Sequence, residues 1–403
     1  MKSKLKNISA CLLLASLSTT ASAAGFAIKE QSITNLGRAF AGSAAAAEDA
    51  STIFFNPAGL TYLEQGEIDL GMNYIRPQTD FNDDGSSPMT GDDGGNAGKE
   101  AFVPNFYLSH PLNDTVTVGL GVSAPFGLVT EYGDNWIGRY LAVKSEMLTV
   151  NFNPSIAIKA TEKLSVGLGI SAQYIDVKLT KMVPIAGDSK VKLQGDDWGY
   201  GFNVGLMYQA TEDTRLGLSY RSKISHTLEG DGKLAVLDVK EKISADLDLP
   251  ETVSFALHHQ LNEKWSLLAD ATLTRWSRFE ELVIESDGML NSEKPENWEN
   301  SMRYGIGFNY QHSDKWLFRG GVAYDETPIP SSEYRTARIA DADRTWVAVG
   351  ASYQYSDSII IDAAYTHIFM NDPKIDETEA PFNLKGRYDA SVDIVGVQLR
   401  WLM

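Results

Sequence analysis

Short polar turns centred on Asn113-Asp114, Thr161-Glu162, Thr211-Glu212-Asp213, Asn262-Glu263, Ser313-Asp314 and Ser356-Asp357 recur about every fifty residues, and each joins two runs in which apolar and polar residues alternate. A period of two places successive side chains on opposite faces of a strand. Tyr304, Ile306, Phe308 and Tyr310 form one apolar face with aromatic ends, while Gly305, Gly307, Asn309 and Gln311 point the other way. The same division separates Tyr200, Phe202, Val204, Leu206 and Tyr208 from Gly201, Asn203, Gly205 and Gln209. It also separates Trp316, Phe318, Val322 and Tyr324 from Arg319 and Asp325, which reads as a lumen-side pair or network. Apolar faces ending in aromatic residues, short turns on one side and longer loops on the other predict a transmembrane β-barrel, with lipid on the first face and the lumen on the second. A soluble sandwich would alternate too, but its buried face would avoid Arg and Asp.

The strands predicted from this pattern run over 66–77, 101–111, 115–125, 143–159, 163–180, 196–210, 214–229, 249–261, 264–285, 299–311, 315–326, 343–355, 358–371 and 386–403. Their number is fourteen, and an even count is what a single-chain bacterial barrel requires. The last strand carries Val395, Val397, Leu399, Trp401 and Met403 on one face and Gln398 and Arg400 on the other, so the chain ends within the wall. The fold class is therefore all-β: a fourteen-stranded antiparallel barrel.

Residues 1–23 read as a secretory signal: Lys2, Lys4 and Lys6, an apolar stretch from Leu12 to Leu17, and Ala21-Ser22-Ala23 with cleavage expected after Ala23. Cys11 leaves with it, so the mature chain has no thiol to misbridge in an oxidising periplasm. The net charge of −18 becomes −21 when the three leader lysines are lost, which argues against nucleic acid as a partner. Mean hydropathy is slightly negative, and no mature stretch of about eighteen apolar residues exists, so a helical membrane protein is excluded. These features place the protein in the outer membrane of a Gram-negative bacterium, among outer-membrane lipid and lipopolysaccharide.

Residues 24–65 precede the first strand of the barrel at 66–403 and do not alternate. They are rich in Ala, Gly and Ser, with Ala44 to Ala47 and Phe54-Phe55-Asn56-Pro57-Ala58-Gly59-Leu60. Such a segment is too apolar for a solvated tail, and the lumen is the nearest place to bury it, so it is expected to be a plug, or hatch; a periplasmic extension is the alternative. Pro57 restricts Asn56 to extended conformations and the Asn amide can bond nearby backbone, which makes Asn56-Pro57-Ala58 a rigid wedge or a turn leading into the first strand. In the third strand, Ser123-Ala124-Pro125-Phe126-Gly127 contains a residue with no N–H to give the ladder. Pro125 either breaks the wall or ends the strand.

The chain resembles the FadL-type outer-membrane long-chain fatty acid transporters from Ala24 to its C-terminus. The resemblance rests on Ala24-Gly25-Phe26, Leu36-Gly37-Arg38-Ala39, Asn56-Pro57-Ala58, Val103-Pro104-Asn105, Gly138-Arg139-Tyr140, Asn153-Pro154-Ser155, Leu249-Pro250-Glu251, Trp276-Ser277-x-Phe279, Asp325-Glu326-Thr327-Pro328-Ile329-Pro330 and Asp341-x-Asp343-Arg344-x-Trp346, in that order. It implies a monomer that takes long-chain fatty acids or other hydrophobic small molecules, without a cofactor, through capture at an apolar site, plug movement and lateral escape through a wall gap at Ser123–Gly127. Within it, Asn56, Pro57 and Ala58 are expected to gate beside that gap, and Phe26 and Ile28 to contact ligand. Arg139, Arg335, Arg338, Arg344 and Arg319 are the candidates for a carboxylate, Arg139 being the one put forward as ligand-binding, while Asp341 and Asp343 flank Arg344 closely and make it a loop-fixing ion pair. Aromatic hydrocarbons are the rival cargo within the family, and a general diffusion porin is a different class of transporter. No hydrolase elbow or zinc-protease motif occurs, and His258-His259 point to opposite faces, so an enzyme is not expected. The acidic loop from Asp80 to Asn96 lacks the ligand spacing of a calcium site.

Overall fold

A computed structural model of the chain describes residues 25–403, so the leader and its cleavage point lie outside the described residues. Fourteen antiparallel strands close into a barrel. They are β1 (Glu67–Asp83), β2 (Ala101–Pro111), β3 (Val116–Ser123, resumed at Gly127–Glu131), β4 (Lys144–Lys159), β5 (Leu164–Val183), β6 (Ser189–Gln209) and β7 (Thr214–Arg221, resumed at Ile224–Leu234). The circuit continues with β8 (Val239–Leu249, resumed at Thr252–Gln260), β9 (Trp265–Thr274), β10 (Ser301–Ser313), β11 (Trp316–Asp325), β12 (Arg344–Ser356), β13 (Ile359–Met370) and β14 (Phe382–Leu402). Closure is between β14 and β1, in unbroken register from Glu67 opposite Leu402 to Asp83 opposite Gly386.

The polar turns are built by their own side chains. Asn113 Oδ1 accepts from the N–H groups of Thr115 and Val116, Thr161 Oγ1 from those of Lys163 and Leu164, and Asn262 Oδ1 from those of Lys264 and Trp265. Each side chain thereby replaces the ladder partner that a tight turn cannot supply. The strands that leave these turns keep the expected faces: Tyr200, Ile306 and Trp401 are exposed outward, whereas Asn203, Asn309 and Gln398 are buried. Pairs such as Trp265–Tyr310, with ring centroids 4.6 Å apart, and Trp316–Tyr353, 4.7 Å apart, stand at the periplasmic ends of the strands, where amphipathic rings belong.

The lumen is filled. Residues 26–63 fold into three single-turn helices, Ile33–Leu36, Ser43–Ala46 and Thr52–Phe55, and a 3₁₀ helix, Pro57–Tyr62, nearly all of it buried against the inner wall. The wall admits them by means of glycine. A Cβ on Gly321 would lie 2.2 Å from the Arg38 carbonyl oxygen, one on Gly217 2.0 Å from that of Ala44, and one on Gly167 2.2 Å from the Ala58 nitrogen. These lumen-facing glycines are the seat of the plug.

Arginines from the wall then lock that seat. Arg215 donates to the carbonyls of Ala45 and Ala46, Arg221 to Phe54 at 2.8 Å, Arg303 to Ala39 and Arg400 to Glu48 at 2.7 Å. The Glu48 carboxylate receives Arg38 at 2.9 Å and Arg319 at 3.0 Å. Arg319 thus joins a lumen network with Glu48 of the plug and Asp362 of the wall and is not paired with Asp325, so of the two readings, pair or network, the pair does not form; the partly buried plug carboxylate is the nearer anion to satisfy. Charge-assisted bonds of this kind, made out of water, are the strong ones.

Candidate functional site

β3 breaks at Ala124-Pro125-Phe126, so the kink reading of Pro125 holds and the strand-end reading does not. Below the break, β2 and β3 pair from Pro111 opposite Thr117 up to Phe106 opposite Val122. Above it, residues 101–105 of β2 pair only with β1, and contact with β3 resumes at a single bridge between Gly98 and Thr130. The wall therefore has a seam between β2 and β3, with Ser123, Ala124, Pro125, Phe126 and Gly127 along one side.

An unpaired backbone at membrane depth must find partners. Here the plug and β4 supply them. The Ile28 N–H donates to the Pro125 carbonyl at 2.8 Å, and the Gly127 N–H donates to the Phe26 carbonyl at 2.9 Å. The Gln31 amide takes both polar groups of Ala124, donating to its carbonyl at 2.7 Å and accepting from its N–H at 3.2 Å. Thr149 Oγ1, from β4, accepts from the Phe126 N–H at 3.0 Å and donates to its carbonyl at 2.6 Å. Residues 26–31 thus behave as a short extra strand laid on the inside of the kink.

The same segment presents a side chain to an aromatic cage. The Phe26 ring lies 4.8 Å from that of Trp276 and 5.6 Å from that of Phe279, both edge to face, and 5.6 Å from that of Trp298 and 6.2 Å from that of Phe126, both tilted. Edge-to-face rings at this spacing attract one another beyond their burial. Two of these rings come from a deliberate break in β8–β9. Pro250 interrupts β8, and the buried Glu251 carboxylate holds Arg275 at 3.2 Å and Arg278 at 2.9 Å, which turns Trp276 and Phe279 inward. Ile28, by contrast, joins a second cluster with Ile33, Leu36 and Trp346 lower in the lumen.

Apolar surface continues outward from the cage through Leu228, Leu247 and Val177 to a groove lined by Leu179, Leu193, Ile243, Leu282 and Ile284 on the inner face of β5–β8 and an outer hairpin of Glu281–Ser286 with Ser292–Pro295. Its exposed wall is almost wholly apolar. An acyl chain or a hydrocarbon ring fits that surface and an ion does not. The cage is in turn tied to the outer loops. Asp341 accepts from the Gly25 N–H at 3.0 Å and from Thr327 Oγ1 at 2.7 Å, and it pairs with Arg344, as the flanking aspartates suggested.

Two of the sites picked from sequence, the Asn56-Pro57-Ala58 wedge and Arg139, stand elsewhere than expected. Asn56 is extended and caps the 3₁₀ helix by accepting from the Ala58 N–H at 3.1 Å, as the wedge reading required. The wedge does not sit at the Pro125 gap, however. Asn56 Nδ2 donates to the Leu206 carbonyl, and Pro57 and Ala58 fill the space left by Gly167 and Gly205 on β5 and β6. Only a glycine notch admits backbone so close. Arg139 is the other departure. Its guanidinium reaches Asp188 at 2.6 Å, the carbonyls of Thr90 and Trp136, and the Tyr140 hydroxyl, and it lies over the Tyr140 ring. With its donors used to fasten outer loops, it does not face the cage. The Tyr140 hydroxyl also bonds Asp188 and holds that carboxyl below its usual range.

Other arginines are spent likewise: Arg335 on the Asp341 carbonyl, and Arg338 on Ser145 Oγ and the Leu141 carbonyl. Sequence reasoning missed Trp298, which no motif marked. It also did not give Trp276 and Phe279 a ligand role, although the strand-breaking Pro250 and the buried Glu251 were visible. In the acidic loop, Asp83 and Asp92 accept from the N–H groups of Ser86 and Gly94, and Asp84 pairs with Arg387. Among the described residues no carboxylates gather as a metal site.

The comparisons agree with this architecture. Residues 14–402 match the family described as outer membrane protein transport protein (OMPP1/FadL/TodX). A 47 kDa outer membrane protein of Pasteurella multocida is 33% identical over 96% of each chain. A long-chain fatty acid transport protein of Escherichia coli is 30% identical over 88% of this chain and 89% of its own. The crystal structure of a FadL homologue of Pseudomonas aeruginosa superposes with a TM-score of 0.89 at 28% identity, covering 94% of this chain and 99% of the other. A plugged barrel with an apolar inner track and a seam in its wall, matched along nearly its whole length, belongs to the OMPP1/FadL/TodX family of outer-membrane transport proteins for hydrophobic molecules.

Proposed function

We propose that the protein carries long-chain fatty acids across the outer membrane and delivers them sideways through the seam between β2 and β3. One observation carries the reading: residues 26–31 bond the kink through Phe26, Ile28 and Gln31 and fill the aromatic cage through Phe26. An acyl chain that takes the place of the Phe26 ring pulls on the same backbone that closes the seam. Each buried CH₂ is worth about 0.8 kcal/mol, so a long chain has enough binding free energy to displace one phenylalanine ring, whose removal from a core costs about 3–5 kcal/mol. A short polar solute has not.

The anchoring of the plug supports a division into a fixed and a moving part. Residues 38–58 are held by Arg215, Arg221, Arg303, Arg319 and Arg400, and the Asn56-Pro57-Ala58 wedge fixes their far end. Residues 25–31 are the moving part and the wedge is the fixed end of the gate. Ligand captured in the outer groove passes to the cage, displaces the segment and leaves past Pro125. The Escherichia coli relative named as a long-chain fatty acid transport protein supports this cargo.

The test is uptake of a labelled long-chain fatty acid by cells lacking their own transporter, complemented with this chain or with an Asn56-Pro57-Ala58 deletion. Uptake by the intact chain and loss in an equally well inserted deletion is the expected result. Uptake of an aromatic hydrocarbon but not of fatty acid by the intact chain would move the cargo to that class.

A further inference from the structure

The outer face of the wall carries a feature that transport does not use. Lys192 on β6 stands directly opposite Lys233 on β7, and Lys233 directly opposite Lys240 on β8. All three are exposed; Lys192 shares the even, lipid-facing parity of Trp198 and Tyr200 on β6, and direct opposition puts Lys233 and Lys240 on the same face beyond the one-residue register shift at the break in β7. Like charges side by side across strands destabilise a sheet. Lys240 shares Asp231 with Lys242, at 3.5 and 3.0 Å, but among the described residues neither Lys192 nor Lys233 has a carboxylate within ion-pairing reach. In a chain of net charge −18 this row is an anomaly that calls for an anion from outside.

Height and the neighbouring charges decide which anion. Trp198 marks the outer aromatic belt. Lys192 lies six residues further along the same strand, which at about 3.4 Å per residue and a tilt near 40° is roughly 15 Å beyond the belt. Between the two runs an acidic row, Asp176 opposite Asp196 opposite Glu229; Lys178 pairs with Asp176 at 2.8 Å, while Asp196 and Glu229 have no cation within ion-pairing reach among the described residues and repel phosphate at headgroup depth. The phosphate must therefore be carried above the headgroups, on sugar, by a molecule standing in the membrane beside the wall. Ammonium groups bind phosphate as point charges without demanding a fixed geometry, which suits a branched and mobile oligosaccharide.

We propose that Lys192, Lys233 and Lys240 form a binding site for the phosphorylated core sugars of the outer-leaflet glycolipid, with one glycolipid molecule held against β6–β8. The groove of the transport path lies on the inner face of these same strands, so the bound glycolipid braces the wall behind the ligand entry.

Native mass spectrometry of the full mature protein in mild detergent tests this by titration with three probes: rough lipopolysaccharide with a phosphorylated core, the same material dephosphorylated, and lipid A alone. The wild type is expected to bind the first at least tenfold more tightly than the other two, and K192Q/K233Q/K240Q to lose that preference. K163Q/K264Q/K315Q, which removes three lysines from the periplasmic turns, is expected to keep it. Equal binding of the phosphorylated core by wild type and the first triple variant overturns the site, and lipid A binding as tightly as the full core overturns its height. If the triple variant does not give a heat-modifiable folded band, K233Q alone decides, with at least a threefold loss expected and an unchanged affinity counting against the site. Fatty acid uptake in the same variants separates a failure here from a failure of the proposed cargo.

Discussion

Ile28 and Pro125 are joined by a 2.8 Å hydrogen bond, from the amide of a plug residue to the carbonyl of the residue that breaks the wall. Pro125 cannot donate to β2, and its carbonyl is taken from the inside. With the Gly127–Phe26 and Gln31–Ala124 bonds, this bond makes the plug part of the wall where the described strands β2 and β3 part. Everything proposed about gating follows from the fact that this bond and the Phe26 cage share one short segment.

The simplest consequence is that the segment can be locked. Ala27 and Phe126 are opposed in an antiparallel bridge, and pairs so opposed place their Cα atoms about 4.5–5.5 Å apart, within disulfide reach. Ala27→Cys with Phe126→Cys, in a mature chain expected to have no other cysteine, is predicted to abolish fatty acid uptake when oxidised and to restore most of it on reduction. Uptake insensitive to the redox state would separate segment movement from release.

Truncating the ring tests the other half of the coupling. Phe26→Ala removes a buried ring from four aromatic neighbours, a change worth about 3–5 kcal/mol in a well-packed core. Residues 25–31 are expected to exchange amide hydrogens at least tenfold faster, while β14 and β1 exchange as before. If the whole barrel loosens instead, the cage is a structural core and not a ligand seat.

The notch that holds the wedge makes a steric prediction. A Cβ on Gly205 would come 1.9 Å from Asn56 Oδ1, and the wedge backbone has no room to yield because Pro57 follows. Gly205→Ala is predicted to unseat residues 52–62, loosen the lumen filling and raise sensitivity to large hydrophilic antibiotics. Insertion of the strand should persist, since Val204 and Leu206 still face lipid. Unchanged sensitivity in a well-inserted variant would show that the arginine clamps hold the plug without the wedge.

These effects were unevenly legible. The wall was readable because lipid imposes a period of two with aromatic ends, and Tyr200 to Tyr208 or Tyr304 to Tyr310 could hardly be anything else. Above the membrane that pressure stops. β1, β5 and β6 therefore run further out than their predicted segments, to Asp83, to Val183 and back to Ser189, and the outer hairpin from Glu281 was merged with β9. The site was harder because its parts are distant in sequence: Phe26, Phe126, Trp276 and Trp298 meet only after the barrel closes. Arg139 misled because a lone arginine looks the same whether it faces ligand or fastens a loop. The glycines were legible and underused. Gly167, Gly205, Gly217, Gly307 and Gly321 all sit at lumen parity, and that row is the imprint of a plug backbone pressed against the wall.

The last prediction concerns pH and the cage. Glu296, in the outer segment beside β10, accepts from the Trp298 indole N–H at 3.2 Å, and burial, followed by the nearby Glu377 carboxylate, pushes its carboxyl from 4.5 up to about 8. A carboxyl whose pKa is raised by folding favours the native state while protonated, so its contribution is full below about pH 4.5 and is lost as pH rises through 8. Native stability should therefore fall with pH across that window. Glu296→Gln keeps an acceptor for the indole and cannot ionise, so its thermal midpoint is expected to be flatter between pH 5 and 8 and to exceed the wild type at the upper end. Parallel pH profiles for the two proteins would mean that Glu296 stays charged beside Trp298, and that the cage is wetter than its packing implies.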